Sequence, residues 1–239
     1  MVYIRAMSAL WSYRPYNRAS CIEMGRLETT GPISQAAHFH SEVQIAIVTH
    51  GCRVYSSPLG DLCASAGDMV IIPAHLPHAS QGSTASIVTH LYAPSDHPSV
   101  RGMVIPQIIR RVHAQSPYEA LDAIGSLRRD ERHDKQFAST GALSKKVVNQ
   151  ELDINSIAAQ LGYSTDGFIR AFRRQFGMTP AAYRLAHRLM NARSKLRRGD
   201  AIADVAYAMS FADQSHFGRL FRRAYGATPA AYRSAFVVP

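Results

Sequence analysis

The chain has 239 residues, 46% of them hydrophobic, enough for one large domain or two modest ones with real cores. Its formal net charge of +10 is local: residues 140–239 carry 15 Lys/Arg against 6 Asp/Glu, and residues 1–139 carry 12 against 11. A basic half beside a near-neutral one points to a polyanion partner, nucleic acid ahead of anionic membrane, while three scattered cysteines exclude a disulfide framework or a CxxC metal site.

The N-terminus, MVYIRAMSALWSYRP, has no long apolar run before its charges, which argues against a signal peptide; Met1 and Met7 are both candidate starts. No stretch approaches the roughly 20 apolar residues of a membrane span, so a cytoplasmic protein is expected. Residues 31–93 then read as β-structure. VQIAIVT (43–49), RVYS (53–56), MVIIP (69–73) and SIVTHLY (86–92) are β-branched runs separated by Gly, Ser and Pro. His38 and His40 at i, i+2 on a strand would face one side. Gly67-Asp68 before MVIIP, followed by Ala74-His75-Leu76-Pro77-His78, resembles the second cupin motif, and His38-Phe39-His40 with Glu42 resembles a degraded first one.

Two readings of these residues compete. Imidazoles plus a carboxylate (His38, His40, Glu42, His78) suit Fe, Mn, Ni or Zn. Alternatively His38, His40 and His78, with Tyr55 and Tyr92 nearby, line a pocket for a small organic effector without metal. Glu42 lies closer to His40 than metal-binding cupins place it, and His75 replaces a motif glycine, so the effector pocket is the reading adopted: no metal, no cofactor and no catalysis. Ser116-Pro117-Tyr118-Glu119 is a capping box opening a helix with Leu121, Ile124 and Leu127 on one face, either a dimer contact or a cover for the β-domain. Residues 128–139, RRDERHDKQFAS with its charges, read as an exposed linker.

The last third repeats itself. FIRAFRRQFGMTPAAYR (168–184) and FGRLFRRAYGATPAAYR (217–233) match at an offset of 49, and IAAQLGYS matches VAYAMSFA upstream at an offset of 48, so the second copy has gained one residue between its paired segments. Each copy reads as helix, turn, helix. In the first, Asp153 caps a helix from Ile154 to Leu161 with Ile157, Ala158 and Leu161 on one face; Gly162 turns; Ser164 caps a second helix with Phe168, Phe172 and Phe176 as an apolar stripe; Gly177 stops it. In the second, Asp213 is the cap, Phe217, Phe221 and Tyr225 form the stripe, and Gly226 is the stop. Between the copies, Thr179-Pro180 starts a helix running to about Arg198, roughly 27 Å long at 1.5 Å per residue. Successive major grooves on one face of B-DNA lie about 34 Å apart, so such a rod could hold two reading heads in consecutive grooves.

These frames resemble the AraC/XylS family of bacterial regulators over roughly residues 140–236, including FADQSHFGRLFRRAYGATPAAYR and RLMNARSKL (188–196); Ser210 departs from the family's usual glycine. The resemblance implies a DNA-binding transcription regulator, not an enzyme, leaning toward activation. Its partners would be double-stranded promoter DNA, RNA polymerase and a small-molecule effector, with a homodimer also open. It implies base contacts from Asp166, Ile169 and Arg170 in the first copy and Gln214, Ser215 and Arg219 in the second. Chemically, Arg170 and Arg219 suit guanine, Gln214 adenine, Ile169 a thymine methyl, and Asp166 only a cytosine amino group. Arg173, Arg174, Arg222 and Arg223 go to phosphate, while Thr165 and His216 could do either. Because the family's sensing domain is commonly cupin-like, the expected architecture is two-domain α+β. It has a cupin-like β-barrel sensor (1–112), a helix and linker (113–139), and an all-α tandem helix-turn-helix (140–239).

Overall fold

The computed structural model describes residues 9–17, 21–103, 106–109, 121, 124, 143–149 and 152–237. The capping box at 116–119, Leu127 and the charged stretch 128–139 lie outside them. Among the described residues no helix is long and apolar enough to cross a membrane.

The N-terminal part is β-rich, as expected, with ten strands among the described residues: β1 Ala9–Pro15, β2 Glu23–Thr29, β3 Ile33–His38, β4 Glu42–His50, β5 Cys52–Ser57, β6 Gly60–Ser65, β7 Met69–Ile72, β8 His78–Gly82, β9 Ser86–Pro94 and β10 Gln107–Ile109. They pair antiparallel in two sheets, β1-β2-β9-β4-β7-β10 and β3-β8-β5-β6, not in one closed hydrogen-bonded barrel. In the register, Ile45 of β4 lies opposite Leu91 on one side and Ile71 on the other.

The central sheet is buried on both faces, which is why β4 is a continuous apolar run instead of an alternating one. Ala46, Val48, Val70 and Val88 face the second sheet, and Tyr55, Ala64 and Leu62 pack on them from its side. Val43, Ile45, Ile47, Met69 and Ile71 face the other way, where Leu121 and Ile124 cover them. Of the two roles open for that helix, these two side chains take the packing one. Strands β1 and β2 precede the region read as β-structure: ALWSYRP ends in proline, EMGRLET carries glycine and charges, and neither announces a core strand.

The C-terminal part is all helix: α1 Ile154–Gln160, α2 Thr165–Phe176, α3 Pro180–Arg197, α4 Ile202–Ala208, α5 Gln214–Tyr225 and α6 Pro229–Ser234; residues 143–148 form a further helical stretch before them. Asp153, Ser164, Thr179, Asp213 and Thr228 each accept a backbone N–H at a helix start, satisfying donors that the helix leaves open. Gly177 and Gly226 end α2 and α5 in the left-handed region, at φ 70° and 76°. One expectation is corrected. Leu161 is the C-cap of α1, and at 36% exposure it stands off the buried face held by Ile157 and Ala158.

Candidate nucleic-acid interface and a buried interdomain cluster

In each copy the aromatic stripe is sunk into its own core. Phe168, Phe172 and Phe176 pack with Ile157, Ala158 and Tyr183; Phe217, Phe221 and Tyr225 pack with Val205, Ala206 and Tyr232. Burying one face fixes the other outward. Asp166, Arg170, Arg173 and Arg174 of α2 and Gln214, Ser215, Arg219, Arg222 and Arg223 of α5 are exposed, and Ile169 is half-buried. Thr165 is committed locally, its hydroxyl donating to Asn155 Oδ1 at 2.9 Å, and His216 is half-buried against Phe211.

The arginine ending each repeat frame is structural. Arg184 donates to the carbonyls of Val147, Asn149 and Leu152, and Arg233 donates to those of Gly199 and Asp200. Each ties the helix after a reading head to the chain before its unit.

The N-terminal domain touches the far ends of both reading heads. A Cβ on Gly177 would meet Pro58 Cγ at 3.1 Å, and one on Gly226 would run into the Trp11 ring. Tyr13 donates its hydroxyl to the Tyr225 carbonyl at 2.6 Å, and the Gln35 amide donates to the Ala224 carbonyl at 2.7 Å. Both contacts fall at the C-terminal end of α5, and the N-terminal ends of α2 and α5, with the candidate base readers, face away from them.

Four of the five expected effector-pocket residues come together. The rings of His38, His40 and His78 lie 4.5–5.4 Å apart, and Tyr92 sits edge-on to His40 at 4.8 Å. Tyr55 does not join them; it packs in the apolar layer between the sheets. Nor is the space beside the histidines open. Arg193 of α3, 3% exposed, enters it from the helical half. Its guanidinium stacks 4.2 Å above the Tyr92 ring and pairs with Glu23 Oε1 at 2.5 Å and Glu42 Oε2 at 3.5 Å. It also reaches His40 Nδ1 at 3.2 Å. Arg197 pairs with Glu42 Oε1 at 2.9 Å, and Tyr232 donates to Glu23 Oε2 at 2.5 Å. Two carboxylates of the β-domain thus balance two guanidiniums of α3 inside one buried network.

Arg193 is the central residue of this interdomain network, and motif reading passed it over. The signal was present, because the residue lies four after Leu189 and three before Leu196, on the apolar stripe of a helix. Burial opposes its charge, yet Glu23, then Tyr232 and Glu42, hold the guanidinium firmly protonated. Burial likewise pushes Glu42 up, and Arg193 and Arg197 outweigh it, so its carboxyl stays below the ordinary range.

The imidazoles are held neutral. Burial, with His78 next, drives His38 well below its usual value; burial, with His38 next, does the same to His40. Burial takes His78 down to about 4, and burial followed by Arg53 takes His90 to about 3. Gln44 bridges the last two, its amide nitrogen 2.9 Å from His90 Nδ1 and its amide oxygen 2.9 Å from His78 Nε2. His78 Nδ1 already faces the Leu76 carbonyl at 2.9 Å, so that placement would require a doubly protonated ring. With the amide oxygen and nitrogen exchanged, a neutral His78 donates from Nδ1 and accepts at Nε2, as its burial demands.

The ligating nitrogens of His38, His40 and His78 lie within 4.8 Å of one another, a donor set suited to a divalent transition metal. In this hydrogen-bonded state two of them are committed. The His78 Nε2 lone pair serves Gln44. Arg193 donates to His40 Nδ1 and so places the His40 proton on Nε2. A metal would have to displace both partners.

Because these histidines have depressed folded-state pKa values, unfolding in acid takes up protons. Their contribution is intact above the unfolded value of 6.5 and is lost as pH falls toward about 4, the His78 value. The melting temperature should therefore be nearly flat above pH 6.5 and fall steeply between there and pH 4. Calorimetry across that window checks this, and a flat profile would refute neutral burial.

A family profile described as a helix-turn-helix domain matches residues 157–235. The HTH-type transcriptional activator RhaS of Klebsiella pneumoniae (strain 342) is 38% identical over 69 residues, 28% of this chain and 25% of that protein. Its counterpart in Escherichia coli (strain SE11) is 37% identical over 68 residues, 28% of this chain and 24% of that protein. The chain therefore spans about a quarter of the length of the curated relatives it matches. Among solved structures, an apo ToxT variant from Vibrio cholerae strain SCE256 has a TM-score of 0.55 at 13% identity, covering 94% of this chain and 100% of that one. Wild-type ToxT with a bound unsaturated fatty acid has a TM-score of 0.55 at 12% identity, covering 99% and 98%. At that identity the likeness is one of fold, and it extends through both halves.

Proposed function

We propose that this chain, a member of the AraC/XylS family of helix-turn-helix regulators by its C-terminal domain, grips two consecutive major grooves of promoter DNA under the control of a small-molecule effector. The observation that carries the DNA half is geometric. Two capped helices expose cationic faces, their cores anchor them oppositely, and one 18-residue helix spaces them. Asp166, Ile169 and Arg170, then Gln214, Ser215 and Arg219, read base edges; Arg173, Arg174, Arg222 and Arg223 hold phosphates and fix register.

Effector control is supported by the β-domain resting on the C-terminal ends of both reading helices, and by a fold-mate that is solved with an unsaturated fatty acid bound. Residues 1–112 act as the sensor, 113–139 as the connection and 140–239 as the reader. The protein acts in the cytoplasm on promoters together with RNA polymerase, as an activator and without chemistry of its own; a homodimer remains a further form of the same reading.

Selection from a random DNA pool, followed by affinity measurements on the selected site, tests the reading. Arg219→Ala should cost about 1–3 kcal/mol on that site and relax one base position. Arg223→Ala should weaken all sequences alike and reduce the salt slope by about 1. If neither variant changes affinity, the outward face of α5 is not the DNA face.

A further inference from the structure

Two arginines are buried among the described residues, and only one of them is matched by acids. Arg193 has its carboxylates. Arg53 of β5, 2% exposed, pairs with none among the described residues. Its terminal nitrogens donate to Ser80 Oγ at 2.9 Å and to Ser86 Oγ at 3.4 Å, and its enclosed Nε–H has no acceptor. Burial works against the guanidinium, and what opposes burial is Tyr55 and then Cys52, not a carboxylate. An arginine does not shed its proton to escape burial. A buried charge with only neutral hydroxyls around it calls for a counter-ion.

The surroundings suit one. Tyr55 lies two residues along β5 and so on the same face, and its buried hydroxyl also has no partner. Burial, with Arg53 opposing it, pushes that hydroxyl up to about 12, so it keeps its proton and can donate. Ser80 sits opposite Tyr55 in the register. Gly82, the next inward position of β8, leaves its side-chain place to the guanidinium: a Cβ there would meet Arg53 Nη1 at 3.1 Å. The exposed turn at Ser83 and Thr84 follows directly, a short way in from solvent.

We propose that Arg53 and Tyr55 form an internal site, between the two sheets of the β-domain, for a planar oxyanion no larger than formate, nitrate or hydrogencarbonate. The free Nε–H and a neighbouring N–H of the same planar group match a pair of oxygens, and the tyrosine hydroxyl adds a third donor. Occupancy has a route to the reading half. Ser80, which accepts from Arg53, donates to Gln35 Oε1 at 3.4 Å, and the Gln35 amide donates to the Ala224 carbonyl at the end of α5. An anion drawing on the Arg53 N–H groups changes what holds Ser80, the first link of that chain. The site stands by itself; its effect on DNA rests on the effector reading above.

The test melts the full chain at constant ionic strength, with sodium formate or nitrate replacing sodium chloride. The wild type should gain about 3 °C in either anion at ten times its dissociation constant. Arg53→Met should show no such gain, and in chloride should melt no lower than the wild type, because an apolar side chain removes the uncompensated charge. Tyr55→Phe, which keeps the ring and removes one donor, should weaken formate about tenfold without lowering the melting temperature in chloride. The same gain in Arg53→Met, or none in the wild type at molar formate, would overturn the inference and leave the guanidinium to buried water. Affinity for a retained DNA fragment is measured with and without formate on the same preparations, and should change severalfold in the wild type alone. A melting shift without that change keeps the anion site and refutes its link to α5; a melting shift in a chain that retains no DNA refutes the regulator reading instead.

Discussion

Replacing Arg193 by alanine is expected to cost about 3–5 kcal/mol of folding stability, the range seen when one partner is removed from a buried ion pair. The side chain is 3% exposed, and its removal leaves Glu23 and Glu42 facing each other with Arg197 as their remaining cation. The cost comes less from the lost attraction than from the two carboxylates left in a dry interface. Arg193→Lys should recover only part, since a lysine cannot stack flat on Tyr92 while reaching both carboxylates. Arg193→Met combined with Glu23→Gln should recover more than either alone, because the uncompensated charge is removed and not merely exposed. Urea unfolding of the five variants, the two single substitutions and their double included, measures this. A loss under about 0.5 kcal/mol for Arg193→Ala would mean that the interface takes in water and the network is not what holds the halves together.

Trp11 gives that experiment a local readout. It is the chain's single tryptophan, it stacks on Tyr13 and His90, and it lies against Gly226 at the end of the second reading helix. Its emission therefore responds both to undocking at Gly226 and to loss of the β-domain's own packing, and far-UV circular dichroism, which follows unfolding, separates the two.

The reading heads were legible because what makes them is local. Caps, aromatic residues four apart and a stop glycine all fall within a dozen residues, and duplication displays each signal twice. Even the change of offset from 48 to 49 has its structural counterpart: four residues separate α1 from α2, and five separate α4 from α5. Ser210 takes φ 56° where the first copy places Gly162 at 73°, so the turn is conserved in conformation at a residue that pays for it in backbone strain. The β-domain was legible where β-branched runs stand between turn residues, as in VQIAIVT and RVYS; β1, at the sheet's edge, and β2, mostly buried between β1 and β9, carry almost no β-branched residues and show no such run. The interdomain network could not be read from motif spacing. Glu23, His40, Arg193 and Tyr232 meet across separations of more than 150 residues, and the local sequence around each says only that a charge or ring is present.

Gly226→Ala should be far more damaging than Gly177→Ala, although the two glycines occupy the same place in the repeat. Each closes a reading helix at positive φ, so each substitution incurs the left-handed penalty of about 1–2 kcal/mol. At Gly177 the new methyl meets the Pro58 ring at 3.1 Å, at the exposed hairpin between β5 and β6, which can yield by a few tenths of an ångström. At Gly226 it would occupy space already taken by the Trp11 ring, whose far side is fixed by Tyr13 and His90. The ring must leave, and with it the Tyr13 and Gln35 hydrogen bonds to the Tyr225 and Ala224 carbonyls are put under load. The expected result is a red-shifted Trp11 emission and a further stability loss for Gly226→Ala that Gly177→Ala does not show. Equal losses with unchanged emission would place Trp11 away from the helix end. Because those carbonyls belong to the same helix whose opposite end carries Gln214, Ser215 and Arg219, the variant should also change affinity for the selected DNA site, which no change confined to the β-domain's own core would do.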